Sequence, residues 1–305
     1  MLSKRLWFFV KMMAVTAAAC MIVTAGYASE KPISVIVSIP PQAFFVKSVA
    51  GDRVSVDVLL PAGESPATFT PEPSRITRLA AADIYFRIGV PFENMVMPSI
   101  GTIDSGIRVV DTRKNISLRT MHSAHGHDGQ QKQGKDPHIW LDPLLVKQQT
   151  LTIRNALCEA DPAGCSVYET NTDEFVKALT GLHQTLESVL APIRGEQIFV
   201  FHPAFGYFAD AYGLEQVAVE MEGKAPKGRQ LLGFIKKARK AGVRVVFVQS
   251  QFDRRAAGKI AEAIDGAVVP LDPLARDYMA NMRQMAEAIK NALAHSITEG
   301  RTDVQ

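Results

Sequence analysis

From Pro32 onward, short runs of β-branched and aromatic residues alternate with stretches whose apolar residues recur at three- and four-residue spacing. Ile33 to Ile39, Val54 to Leu60, Ile84 to Ile88 and Ile107 to Val110 predict strands, and Pro73 to Ala82 predicts a helix with Ile76 and Leu79 on one face. The rhythm returns in Gln197 to Phe201, Gln216 to Val219, Val243 to Gln249 and Ala267 to Leu271, with helices predicted over Pro203 to Tyr212 and Gln230 to Lys240. Such βα alternation is the pattern of a mostly parallel sheet with flanking helices. Between the two halves, Thr172 to Leu190 carries Phe175, Leu179, Leu182, Leu186 and Val189 in one stripe, with Asp173 and Glu174 in its first turn and Pro192 beyond its end. That predicts a long amphipathic helix joining two α/β lobes, and a stiff connection limits their relative motion. The expected organisation is a leader over 1–28, an N-terminal lobe over 29–168, a connecting helix over 169–194 and a C-terminal lobe over 195–305.

The leader is different in kind. Lys4 and Arg5 precede an apolar run of fourteen residues, Met12 to Ala25, and small residues at Gly26 and Ala28 suit signal-peptidase cleavage after Ala28. Export to the periplasm is the expectation. The run is short of the roughly 20 residues that span a bilayer, and no later segment is apolar for long enough, so no membrane span is expected in the mature chain. A second reading takes Cys20, after three alanines, as a lipid-attachment cysteine.

Composition narrows the function classes. Hydrophobic residues make up 47% of the 305 and charged residues 21%, which excludes bulk disorder and fibrous architectures. The formal net charge of +3 belongs to Lys4, Arg5 and Lys11, so the chain without its leader carries 31 basic against 31 acidic residues. A neutral body offers no electrostatic footprint for nucleic acid. In an oxidising compartment Cys158 and Cys165, flanking a turn-rich stretch, are expected to form a structural disulfide.

The chain has seven histidines. His122, His125 and His127 lie in a low-complexity stretch, Met121 to Lys135, which reads as a His-rich loop. His183 and His295 read as solvated surface residues. His138 follows Asp136-Pro137 and precedes Asp142-Pro143, an N-cap and first helical residue; His202 ends one predicted strand and Asp272 another. In open α/β sheets ligands bind at the carboxyl ends of strands. Taken singly, each residue is most simply a cap or a satisfied polar group. Together, two imidazoles and a carboxylate divided between the lobes suit zinc or another late first-row ion, whereas calcium and magnesium prefer oxygen sites.

The longer motifs around these residues, DPHIWLDP, FHPAFGYFADAYGL and LDPLARDYMANM, with ADIYFRIGVPFE and FVQSQFD, closely resemble the zinc/manganese-binding solute-binding proteins of ABC importers, the cluster A-I family. The resemblance runs from about Ile33 to the C-terminus. It implies two α/β lobes joined by a rigid helix, a divalent metal (zinc, with manganese as the alternative) in the cleft between them, delivery to a permease and its ATPase, no catalysis, and a monomeric protein. His138, His202 and Asp272 match three family ligands. The fourth does not: the family's PHxF/Y pattern reads Pro66-Ala67-Thr68-Phe69 here, and alanine cannot ligate. Glu64, or one of His122, His125 and His127, is a candidate to complete the set. Two other functions fit a three-ligand site. A zinc hydrolase would use the open position, but there is no HExxH or GxSxG, and Glu220 and Glu222 stand only near a predicted strand end. A periplasmic metal buffer or chaperone would bind without transport.

Overall fold

The structure, a computed structural model, describes residues 32–102, 106–121, 134–218, 228–251 and 254–302. Two four-stranded sheets organise the described chain, and every strand pairing in both is parallel. The first contains β1 (Ile33–Val37), β2 (Val54–Val58), β3 (Ile84–Arg87) and β4 (Arg108–Asp111) in the order β2-β1-β3-β4. The second repeats that order as β6-β5-β7-β8, with β5 (Gln197–Val200), β6 (Glu215–Ala218), β7 (Val245–Gln249) and β8 (Ala267–Leu271). Central strands are apolar throughout because helices cover both faces: every residue of β7 is buried, whereas edge strand β2 alternates. The predicted strands are all present; β1, β2, β3 and β5 end one or two residues earlier than expected because their last residues leave the ladder to form the sheet's carboxyl edge, and β7 starts two residues later.

The helices of the first half are α1 (Pro40–Ala50), α2 (Pro73–Ala80), α3 (Glu93–Thr102) and α4 (Pro143–Ala160). α4 starts as expected, with Asp142 accepting a hydrogen bond from the Leu144 amide and Pro143 at the first position. The connecting helix α5 (Cys165–Leu190) starts seven residues before the expected Thr172. Its buried stripe extends upstream through Thr172 and Tyr168, while Asp173 and Glu174 are exposed mid-helix residues and mark no terminus. The signal was hidden because a buried threonine reads as polar. Cys158 in α4 and Cys165 at the start of α5 form the disulfide, with S–S 2.06 Å.

In the second half, α6 (Gly206–Tyr212) is shorter than the predicted Pro203 to Tyr212, because His202 to Phe205 form a separate turn. α7 (Gly228–Lys240), α8 (Arg254–Ala263) and α9 (Tyr278–Thr302) complete the chain. His295 falls within α9. The lobes share apolar contacts: one continuous cluster includes Phe45, Trp140, Leu182, Phe205, Phe247 and Tyr278. Tyr278, from the end of the chain, packs edge-on against Phe45 at 5.0 Å. No described helix is long and apolar enough to cross a membrane.

Candidate metal centre

His138 is presented by a short connection. Thr120 and Lys135 form an antiparallel bridge, the Asp136 amide donates to Arg119 O, and a 3-10 turn, Ile139–Leu141, follows His138. Its imidazole is nearly buried, and Nδ1 lies 2.7 Å from Asp136 Oδ1. A carboxylate only accepts, so Nδ1 carries the proton and Nε2 keeps the lone pair. This is the carboxylate–histidine arrangement that orients metal-ligating imidazoles. Asp136 is fixed in turn: Tyr207 Oη donates to its carbonyl at 3.0 Å and accepts from the Arg119 amide at 3.0 Å. Burial, countered in part by the Arg119 amide, pushes the Tyr207 phenol up to about 12, so it stays a donor. The Arg119 guanidinium lies 3.9 Å from Asp136 and 3.3 Å from Asp210.

His202 comes from the carboxyl end of β5, where the neighbouring strands β6 and β7 diverge to opposite sides. Such a switch point opens a crevice in a parallel sheet. Gln249, at the end of β7, grips the backbone of His202 with both amide atoms: Nε2 donates to His202 O at 2.8 Å and Oε1 accepts from His202 N at 3.2 Å. The rings of His138 and His202 meet edge-on with centroids 5.3 Å apart. Both line one cavity of about 380 Å³, with Ala67, Trp140, Gln249 and Gln251 among its walls.

Ala67 therefore sits in the same cavity as the two imidazoles. Its turn is well held: the Ala67 amide donates to Ser65 Oγ at 3.3 Å, and Phe69 packs edge-on against Phe92 at 5.2 Å. Opposite, the loop after β3 is anchored by Glu93. Its carboxylate is fully buried and accepts from the Ile88 and Gly89 amides, Ser38 Oγ and Arg87 Nε. A buried charge with four donors is stabilised where it stands, and it holds the Gly89 to Pro91 wall of the cavity.

Asp272, at the end of β8, lines an adjoining cavity that shares Gln251 and Leu274 with the first. Its Oδ1 accepts from Gln251 Nε2 at 3.0 Å and from the Leu274 amide at 2.9 Å, and Asn281 donates to its carbonyl at 2.7 Å. Trp140 Nε1 donates to the carbonyl of the next residue, Pro273, at 2.7 Å, which ties the His138 segment to the Asp272 segment. Glu64 is exposed and lines the Asp272 cavity. Among the described residues no three His, Cys, Asp or Glu side chains gather closely enough to hold a metal ion. The structure thus brings His138 and His202 together and puts Asp272 next door. His122, His125 and His127 lie outside the described residues, as do Cys20, the leader, Glu220 and Glu222.

His183 differs from expectation: it is half-buried, its ring 5.5 Å from that of Tyr212. Sequence reading also passed over Asp136, Gln249, Glu93 and Tyr207, the residues that hold the site. Asp136 carried a local signal, two residues before a histidine. Gln249 carried a fainter one, a polar residue closing a fully apolar strand.

Comparison with known proteins bears on the family and the fold. The family of zinc-uptake complex component A periplasmic proteins (ZnuA) matches residues 35–292. The high-affinity zinc uptake system protein ZnuA of Bacillus subtilis is 25% identical over 291 residues, covering 88% of this chain and 91% of its own length. The manganese-binding lipoprotein MntA of Halalkalibacterium halodurans is 26% identical over 215 residues, 70% of this chain and 69% of its own. Among solved structures, a crystal structure of ZnuA has a TM-score of 0.79 at 35% identity, over 86% of this chain and 99% of that one. A deletion mutant of ZnuA with zinc bound gives 0.78 at 35% identity, over 86% and 98%.

Proposed function

The chain belongs to the zinc-uptake complex component A family, whose match covers residues 35–292, and from that premise we propose that it captures zinc in the cleft formed by His138, His202 and Asp272. It is the substrate-binding component of a metal ABC importer and acts outside the cytoplasm, handing its cargo to a permease and ATPase; it is not an enzyme. Manganese is the alternative cargo, the metal for which the manganese-binding lipoprotein MntA is named. The observation that carries the reading is the pair of imidazoles converging on one cavity, one of them held by Asp136 with Nε2 available. Two nitrogen donors favour zinc over harder cations. Asp272 would supply the oxygen donor by turning from Gln251 towards the cavity they both adjoin. Cleavage of the leader after Ala28 and a monomeric mature chain belong to the same proposal. So does gathering of ions by His122, His125 and His127, since tethered weak sites raise local concentration; Glu64, exposed beside Asp272, is the auxiliary carboxylate. The test is metal analysis of protein purified without chelator, followed by competition against a chromogenic chelator. One tightly held zinc per chain is expected, and a protein that retains no transition metal and competes for none would overturn the assignment.

A further inference from the structure

Zinc is satisfied by four donors. Among the described residues, His138 and His202 are the only zinc-type ligands lining their cavity, and Ala67 presents a methyl group to it. The cavity of about 380 Å³ is many times the roughly 30 Å³ that a water molecule occupies, so an ion alone does not fill it. Its walls around Ala67 are largely apolar, with Pro66, Val90, Trp140 and Pro273, a surface that water wets poorly and a small organic molecule covers well. Lys135 and Asn94 line the same cavity and are exposed, the Lys135 ammonium resting 3.4 Å from the Leu118 carbonyl, a single weak contact from which a carboxylate in the cavity would draw it. An ammonium and an amide there suit a carboxylate.

Resting on the zinc-capture reading of this cleft, we propose that the cargo is taken as a mixed complex, one zinc ion with one small amino-acid chelator of the free-histidine class. One nitrogen donor of the chelator replaces the ligand that Ala67 cannot supply, and its carboxylate faces Lys135. No bond other than coordination forms, and the chelator leaves with the ion.

The experiment uses the metal-stripped full mature chain, zinc, and L-histidine as the probe. Native mass spectrometry should show zinc and histidine bound together. Apparent zinc affinity, corrected for zinc held by free histidine, should rise at least about tenfold when histidine is added. Lys135→Met should remove most of that gain. Ala67→His should bind zinc by itself and gain nothing from histidine. Zinc-only complexes whose affinity ignores histidine would overturn the mixed-complex proposal while leaving zinc capture standing. Failure of both wild type and Ala67→His to bind zinc under any condition would instead remove the cleft assignment on which it rests.

Discussion

An imidazole binds a metal only through an unprotonated nitrogen, and at His138 the choice of nitrogen is made by Asp136, 2.7 Å from Nδ1. Replacing Asp136 by asparagine keeps the size and removes the negative charge, so zinc affinity should fall by roughly 10- to 100-fold, the usual effect of losing an outer partner. His138→Ala or His202→Ala removes a donor outright and should cost more than that. His183→Ala, in a residue that packs on Tyr212 and lines neither cavity, should leave affinity unchanged. Chelator competition on the four variants checks the order; equal affinities throughout would place the site elsewhere. Because zinc must displace protons from imidazole, affinity should also weaken progressively on acidification, in a titration where carboxylate-only ligation would respond at lower pH.

At the scale of elements, the α4–α5 hairpin is stapled where it turns. Cys158 and Cys165 close a loop of sequence separation 7, for which the chain-entropy account gives about 2–3 kcal/mol. The double change to serine should lower unfolding free energy by about that amount in urea titration and leave zinc affinity intact, since the staple is in neither cavity. The same turn holds Asp161. Burial works to raise its carboxyl, but hydrogen bonds from Tyr168 and Arg53 win and hold it below the ordinary carboxylate range. A carboxyl lowered on folding contributes stability that is present above its unfolded value of about 3.9 and is lost as pH falls through the folded value. Asp161→Asn should therefore destabilise the protein at neutral pH and narrow its difference from wild type under strong acid. A difference that stays constant down to the acid limb would separate the carboxylate from that stability.

Across the whole molecule, the two sheets are joined by more than α5. The shared apolar cluster, Tyr278 against Phe45, Tyr207 on Asp136 and Trp140 on Pro273 all connect the halves. Such a core resists hinge closure, so small-angle scattering profiles with and without zinc should superimpose; a clear contraction on loading would show a hinge. Trp140→Phe deletes the donor to the Pro273 carbonyl and leaves a buried acceptor unpaired, a loss of about 1–3 kcal/mol. Its denaturation midpoint should fall with little change in slope, and zinc affinity should fall too if Asp272 depends on that bond for its position.

The repeating strand and helix pattern was legible because periodicity is local: a buried parallel strand must be apolar throughout, and a helix must repeat at its own pitch. That His138, His202 and Asp272 stand where one element gives way to the next was legible for a related reason, since each lies in a motif that closes one periodic pattern and opens another. The start of α5 was not, because Thr172 is buried by neighbouring helices that its own sequence does not name. The partners were not legible either. That Gln249 holds His202, that Tyr207 and Arg119 frame Asp136, and that Asp272 leans on Gln251 beside the imidazole pair are contacts between distant segments. Local sequence determined which residues end their elements at the carboxyl edge. Only the packing of the two sheets decided which of them face one cavity, because distances across a cleft depend on the whole core beneath it.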